Sequence, residues 1–168
     1  IHKKTKAVVQ MTLTTYDENL CRKLEPNVST TRERFEVLMR RKELGIPTLV
    51  WMTPILPFIN DTRENIEGLL DYCLLAGVQG VLVFDVGVTL REGDREYFYQ
   101  ALDRDFPSIR QKYISTYGNA YDIPSPYAKE LMALIQNTCV ANGMLCSPKE
   151  CFTYLHEFPE RYVQQTLF

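Results

Sequence analysis

The chain has 168 residues, with 19 basic against 21 acidic side chains, so no global field draws it to nucleic acid or to an anionic membrane, and such a partner has to be met locally. That length suits one domain that buries roughly 70% of its unfolded surface without staples. No apolar run approaches the roughly 20 residues of a membrane span. The five cysteines, an odd count without a signal-peptide pattern, predict reduced thiols and a cytoplasmic protein.

Val8–Thr15 alternates cleanly. Val9, Met11 and Leu13 share one face while Gln10, Thr12 and Thr14 share the other, which predicts a strand with its apolar face toward helices and its polar face toward a lumen or site, or toward solvent. Tyr16–Ser29 is a polar connection with a helical turn around Leu20 and Leu24. Thr30-x-x-Glu33 is a capping box, and Phe35, Leu38 and Met39 then recur at helical spacing until Gly45 stops the helix.

Gly45–Asn65, GIPTLVWMTPILPFINDTREN, compresses helix stop, buried strand, proline-bounded loop and helix start. Thr48–Met52 has no polar face, as in a parallel strand covered on both sides. Pro47 and Pro54 bracket it, and Asp61-x-x-Glu64 is a helix-start signal with Asp61 as the expected cap. Ile66, Leu69, Leu70, Cys73 and Leu74 form the most periodic apolar stripe of the chain, ended by Gly77. Val78–Val86 reads as a third buried strand interrupted by Asp85, which is either a satisfied core carboxylate or part of a site at the strand's carboxyl end.

Beyond Val86 the pattern turns helical. One helix is expected from about Asp94, with Tyr97, Phe98, Ala101 and Leu102 inward, and a shorter one over Ile109–Tyr117. Ser125 is expected to cap a long helix that buries Leu131, Leu134 and Ile135 and stops at Gly143. Ser147-x-x-Glu150 caps a last helix carrying Phe152, Leu155 and Phe158.

The fold class is therefore α/β: three parallel βα units with right-handed crossovers over residues 1–93, then a helical C-terminal extension over residues 94–168 that packs on them. Three strands cannot close a barrel, and so small a parallel sheet leaves an unpaired edge that predicts self-association.

The two histidines, His2 and His156, show no spacing that singles out a nucleophile, and His156 reads as a helix-surface residue. Cys139, Cys146 and Cys151 are close enough for a soft metal, but C-x6-C-x4-C matches no compact ligand pattern, and small buried hydrophobes are the better reading. No glycine-rich phosphate loop follows a strand.

The stretch from Thr12 to Phe84 resembles the second half of radical S-adenosylmethionine proteins of the spore photoproduct lyase-like, "DNA repair photolyase" group. The likeness rests on a strand ending in threonines before Asp17-Glu18, then LEP, then a GIP strand leading to the P-I-x-P-x-I-N-D turn, with YDIPSP and the closing QQTLF resembling that group's C-terminal extension. The resemblance implies strands four, five and six of a partial (βα)6 TIM-type barrel. The family's CxxxCxxC loop, which holds a [4Fe-4S] cluster, does not occur in this chain, and the start at Ile-His-Lys-Lys rather than methionine agrees with a missing first half.

By the same resemblance, the cofactor S-adenosylmethionine would be contacted by Thr12, Thr14 and Thr15 at the fourth strand's end, by Pro54, Ile55 and Asn60 after the fifth, and by Asp85 and Gly87 after the sixth. Prolines replace the family's glycine-rich fifth-strand pattern. No catalytic residue and no metal ligand is assigned here, and no cofactor is expected on the isolated chain. The implied function is that of the C-terminal portion of a lyase-like enzyme, inactive alone, whose complete form makes a 5′-deoxyadenosyl radical and abstracts hydrogen from a substrate, with nucleic acid a candidate in the DNA-repair context. The implied partner is the missing N-terminal half. QQTLF also resembles sliding-clamp docking peptides, through Gln164, Leu167 and Phe168, against a reading as a core-docked or frayed tail. Competing hypotheses are a non-catalytic α/β ligand- or protein-binding module and a barrel fragment of hydrolase or aldolase type; the lack of a buried lysine in any strand argues against a Schiff-base aldolase.

Overall fold

A computed structural model describes residues 5–158, so His2 and the closing peptide with Gln164, Leu167 and Phe168 lie outside the described residues. The chain is α/β. Strands β1 (Val9–Thr12), β2 (Thr48–Trp51) and β3 (Gly80–Leu82) form a parallel sheet in the order β1-β2-β3. Val9 stands opposite Thr48 and Leu49 opposite Gly80. Helix α2 (Thr31–Glu43) crosses from β1 to β2, and α3 (Arg63–Ala76) from β2 to β3.

The sheet is covered unequally on its two faces. On one, Met11, Leu13, Val50, Met52, Val81 and Val83 meet Phe35 and Leu38 of α2 and Ile66, Leu69 and Cys73 of α3. Phe35 stacks on Tyr72 at 4.1 Å between ring centroids, locking the two helices together. Helix α6 (Ala128–Ala141) adds Leu131, Ile135 and Cys139 to the same core. On the other face Leu49, Trp51 and Leu82 meet α7 (Pro148–His156) through Cys151, Phe152 and Leu155.

Chain punctuation explains the helix ends. Thr30 and Glu33 cap α2 reciprocally, as do Ser147 and Glu150 on α7. Gly77 closes α3 at φ 61°, the left-handed geometry that glycine adopts without strain. A short helix α1 (Glu18–Leu24), capped by Asp17, occupies the β1–α2 connection.

Five expectations are corrected. Asp61 does not cap α3; Thr62 does, its side chain accepting the Asn65 amide, while Asp61 faces inward and accepts from Ser125 Oγ. Ser125 in turn does not cap α6, whose N-terminal boundary is Tyr127; its hydroxyl oxygen accepts the Tyr127 amide in the turn before the helix. The third strand pairs only over Gly80–Leu82, because Phe84 and Asp85 turn out to solvent and Gly87 starts a new direction. That direction is β4 (Gly87–Thr89), antiparallel to β5 (Asp122–Pro124), so the segment beyond Val86 is not wholly helical. Finally, α4 (Asp94–Asp105) buries Tyr99 and Leu102 and leaves Tyr97 75% exposed. Together with Tyr113 of α5 (Ile109–Tyr117) and Ile123, Tyr99 and Leu102 form a separate apolar cluster.

The two edges of the parallel sheet differ. Leu145 lies alongside β3, where Val81 N donates to Leu145 O (2.8 Å) and Leu145 N to Gln79 O (2.9 Å). Gly80 makes this approach possible, since a Cβ there would stand 2.7 Å from Leu145 Cβ. The outer edge of β1 pairs with no strand among the described residues.

Candidate functional site

The carboxyl ends of the three parallel strands lie at one end of the sheet, where α/β folds place ligands. A cavity of about 610 Å³ opens there, walled by Thr53, Pro54, Phe84, Asp85, Val88 and Asp122, with Gly87 also on its lining. The Thr53–Pro54 peptide just beyond β2 is cis. Phe84 is 56% exposed, so its ring is open to a planar group. Asp85 is exposed, and its Oδ1 accepts the Val86 amide at 2.7 Å, which fixes the carboxylate at the mouth. Gly87 is required by the hairpin itself, since a Cβ would meet Ile123 O at 2.5 Å. An aromatic face beside two carboxylates can take a flat heterocycle and accept from amine or hydroxyl groups. Among the described residues no histidine lines the cavity, and its titratable groups are the carboxylates of Asp85 and Asp122.

The other candidate residues fall elsewhere. Thr14, Thr15 and Asn60 come together, but as a buried and saturated network. Asn60 Nδ2 donates to Thr14 O (3.0 Å) and to Thr15 Oγ1 (3.1 Å), while Asn60 Oδ1 accepts the Leu56 amide at 2.5 Å. Asn65 reinforces it, with Nδ2 donating to Thr14 O and Asn60 O and Oδ1 accepting the Tyr16 amide. This network ties the end of β1 to the β2–α3 turn. Ile55 is fully buried in the main core. Thr12 is exposed on the sheet face that carries Gln10.

Two residues at the end of β1 were not singled out by sequence reasoning. Arg34 Nη1 donates to Thr12 O (3.1 Å), Arg34 Nη2 donates to Glu25 Oε2 (2.5 Å), and Thr14 Oγ1 donates to Glu25 Oε1 (3.0 Å). Their signal was present: Glu25 is the acid of LEP, and Arg34 interrupts the buried stripe of α2 beside Phe35 and Leu38. Asp122 was also missed, because it reaches the cavity only through the pairing of β5 with β4.

Asp61 is buried, and desolvation raises its pKa, against the hydrogen bond from Ser125 that lowers it. His156 lies exposed on α7 with Nδ1 2.7 Å from Phe152 O, a helix-surface position. Among the described residues no three His, Cys, Asp or Glu side chains gather to hold a metal ion, and no helix is long and apolar enough to cross a membrane.

Comparison with known proteins yields uncharacterized proteins from two strains of Mycobacterium tuberculosis and from Mycobacterium bovis. Each is 29% identical to this chain over 123 residues, which cover 73% of this chain and 36% of the relative. The matched part of this chain therefore spans little more than a third of the relatives' length. No family model matches, and no solved structure matches.

Proposed function

We propose that this chain is the C-terminal portion of a radical S-adenosylmethionine enzyme of the spore photoproduct lyase-like group, its three βα units forming the second half of a partial barrel. The observation that carries the proposal is the asymmetry of the parallel sheet. The β3 edge is occupied by Leu145 while the β1 edge pairs with no strand among the described residues, as expected if β1 continues into further strands and β3 ends the sheet. The relatives are longer than the part matched, which leaves room for a further half.

The residues present fit part of the implied cofactor site. Phe84 offers a face for the adenine, Asp85 and Asp122 offer acceptors for the ribose hydroxyls or the amine, and Pro54 and Gly87 form the backbone walls. The described residues do not fit the cluster: Cys21, Cys73, Cys139 and Cys151 are buried and gather no ligand set, so the [4Fe-4S] ligands belong in the N-terminal half. Bound there, the cofactor would supply a 5′-deoxyadenosyl radical for hydrogen abstraction. This chain's own part is to seat and orient it. Thr14, Thr15 and Asn60, with Glu25 and Arg34, hold the end of β1. A nucleic-acid substrate, a cytoplasmic location and sliding-clamp docking through Gln164, Leu167 and Phe168 belong to the same reading.

The test is the natural gene. A CxxxCxxC motif about a hundred residues upstream of Val8, by ordinary βα-unit length, is expected. Anaerobic iron reconstitution of residues 1–168 alone should give no cluster absorption, and a stoichiometric four-iron cluster would overturn the assignment.

A second reading, a non-catalytic ligand- or protein-binding module, rests on the same cavity, whose aromatic face and two carboxylates are sufficient to hold a ligand. Absence of the upstream motif would leave that reading standing.

A further inference from the structure

A second cavity, of about 420 Å³, lies between the β2–α3 turn, α5 and the start of α6, and shares no lining residue with the cavity at the strand ends. Phe58, Asp61, Arg63, Lys112, Tyr127 and Glu130 wall it, and the buried Leu131 adds an apolar surface. Phe58 holds φ 64°, a left-handed backbone that a bulky residue rarely adopts, and packs on Tyr113 and Tyr117 at 5.6 and 5.9 Å between ring centroids. Tyr127 is 56% exposed, so its ring stands free at the rim. The volume suits a small molecule.

The four charges on this lining are unequally matched. Arg63 pairs with Glu130 at 3.3 Å, joining α3 to α6, and with Glu67 at 2.9 Å. Among the described residues neither Asp61 nor Lys112 makes a salt bridge. Asp61 is 3% exposed and accepts from Ser125 Oγ, a neutral donor, at 2.5 Å. Desolvation of this uncompensated carboxylate is what raises its pKa. Lys112 Nζ sits 4.0 Å from the centroid of the Phe58 ring, which seats the ammonium without cancelling its charge. The cavity thus holds one satisfied ion pair beside an anion and a cation that each lack a counter-charge.

We propose that this cavity binds a free α-amino acid with a large apolar side chain, its ammonium on Asp61 and its carboxylate on Lys112. A zwitterion gives each unpaired charge its complement in one molecule, whereas a singly charged ligand would serve one and leave the other bare. A peptide terminus carries only one of the two charges, so the free amino acid is favoured over it. Phe58, Tyr127 and Leu131 supply the apolar and aromatic surface for the side chain. This site does not depend on the proposed cofactor chemistry.

The test is calorimetric titration of the full chain with L-phenylalanine, beside hydrocinnamate, which lacks the ammonium, and phenethylamine, which lacks the carboxylate. L-Phenylalanine is expected to bind saturably and one-to-one. Binding should weaken at least about tenfold for either analogue and in Lys112→Met, as for the loss of one charged hydrogen bond. Lys112 is exposed, so this variant leaves the core intact, and the analogue comparison needs no variant at all. Amide shifts on binding should gather at Phe58, Lys112 and Tyr127. No saturable binding, an analogue that binds as well as the amino acid, unchanged affinity in Lys112→Met, or shifts centred on Asp85 and Asp122 would each overturn it. Such a failure leaves the cofactor reading untouched, because that reading stands or falls on the upstream cluster motif.

Discussion

Arg34 Nη2 and Glu25 Oε2 meet at 2.5 Å at the end of β1, where the other oxygen of Glu25 accepts the Thr14 hydroxyl. The Arg34 side chain is 10% exposed and that of Glu25 28%, so the pair is sheltered but not sealed. Removing one partner of a fully buried pair costs about 3–5 kcal/mol; partial exposure brings the expected cost of Arg34→Met down to about 2 kcal/mol. Glu25→Gln keeps an acceptor for Thr14 and should cost about 1 kcal/mol. Urea unfolding of both variants and of the double variant checks this, and the double variant should lose less than the sum.

Asn60 is 2% exposed and binds three backbone or hydroxyl groups. Asn60→Leu leaves the Leu56 amide without its acceptor and removes the donor to Thr15 Oγ1, while Thr14 O keeps the Asn65 amide, and unfolding should show a loss of about 3 kcal/mol. Asn60→Asp places an acceptor against Thr14 O and should be no better. A loss below about 1 kcal/mol in both would mean that the end of β1 is held by other contacts.

Leu145 depends on Gly80 having no side chain, because an added Cβ would also stand 2.7 Å from Leu145 O. Gly80→Ala should push Leu145 off the β3 edge, cost about 1–3 kcal/mol and speed hydrogen exchange of the Val81 amide. Trp51, the single tryptophan, lies 6.2 Å from Phe152 of α7 between ring centroids. Its emission should therefore shift toward that of a more hydrated indole as α7 loosens.

Burial raises the Asp61 pKa above its ordinary 3.8. The folded chain thus binds the Asp61 proton more tightly than the unfolded chain, and this contribution to stability is full below 3.8 and lost as pH rises through the folded value. Asp61→Asn should flatten that component of the stability–pH curve. Circular dichroism melts across the weakly acidic range, compared between the two proteins, provide the measurement.

Much of the fold was legible where a residue and its partner lie within one turn of helix. Thr30 with Glu33 and Ser147 with Glu150 announce caps that form as read. The unbroken apolar run Thr48–Trp51 marks the central strand, covered on both faces. The start of α3 slipped by one residue, because Asp61 and Thr62 are both competent caps and only the distant Ser125 draws Asp61 inward. The pairing of β4 with β5 was invisible, since each strand has three residues and the partners lie across α4 and α5. Of the candidate site, Pro54, Asp85 and Gly87 do wall one cavity. Thr14, Thr15 and Asn60 look from sequence like free polar groups, and only their mutual hydrogen bonds show them to be saturated.

The central claim is that these residues seat a cofactor whose reactive cluster is held by an N-terminal half. Its most direct measurement is anaerobic reconstitution of the complete gene product with iron and sulfide, followed by reduction in the presence of S-adenosylmethionine and assay for 5′-deoxyadenosine. A four-iron cluster and 5′-deoxyadenosine are expected from the complete protein, and neither from residues 1–168 alone. A complete protein that carries no CxxxCxxC motif, binds no cluster and leaves S-adenosylmethionine intact would contradict it.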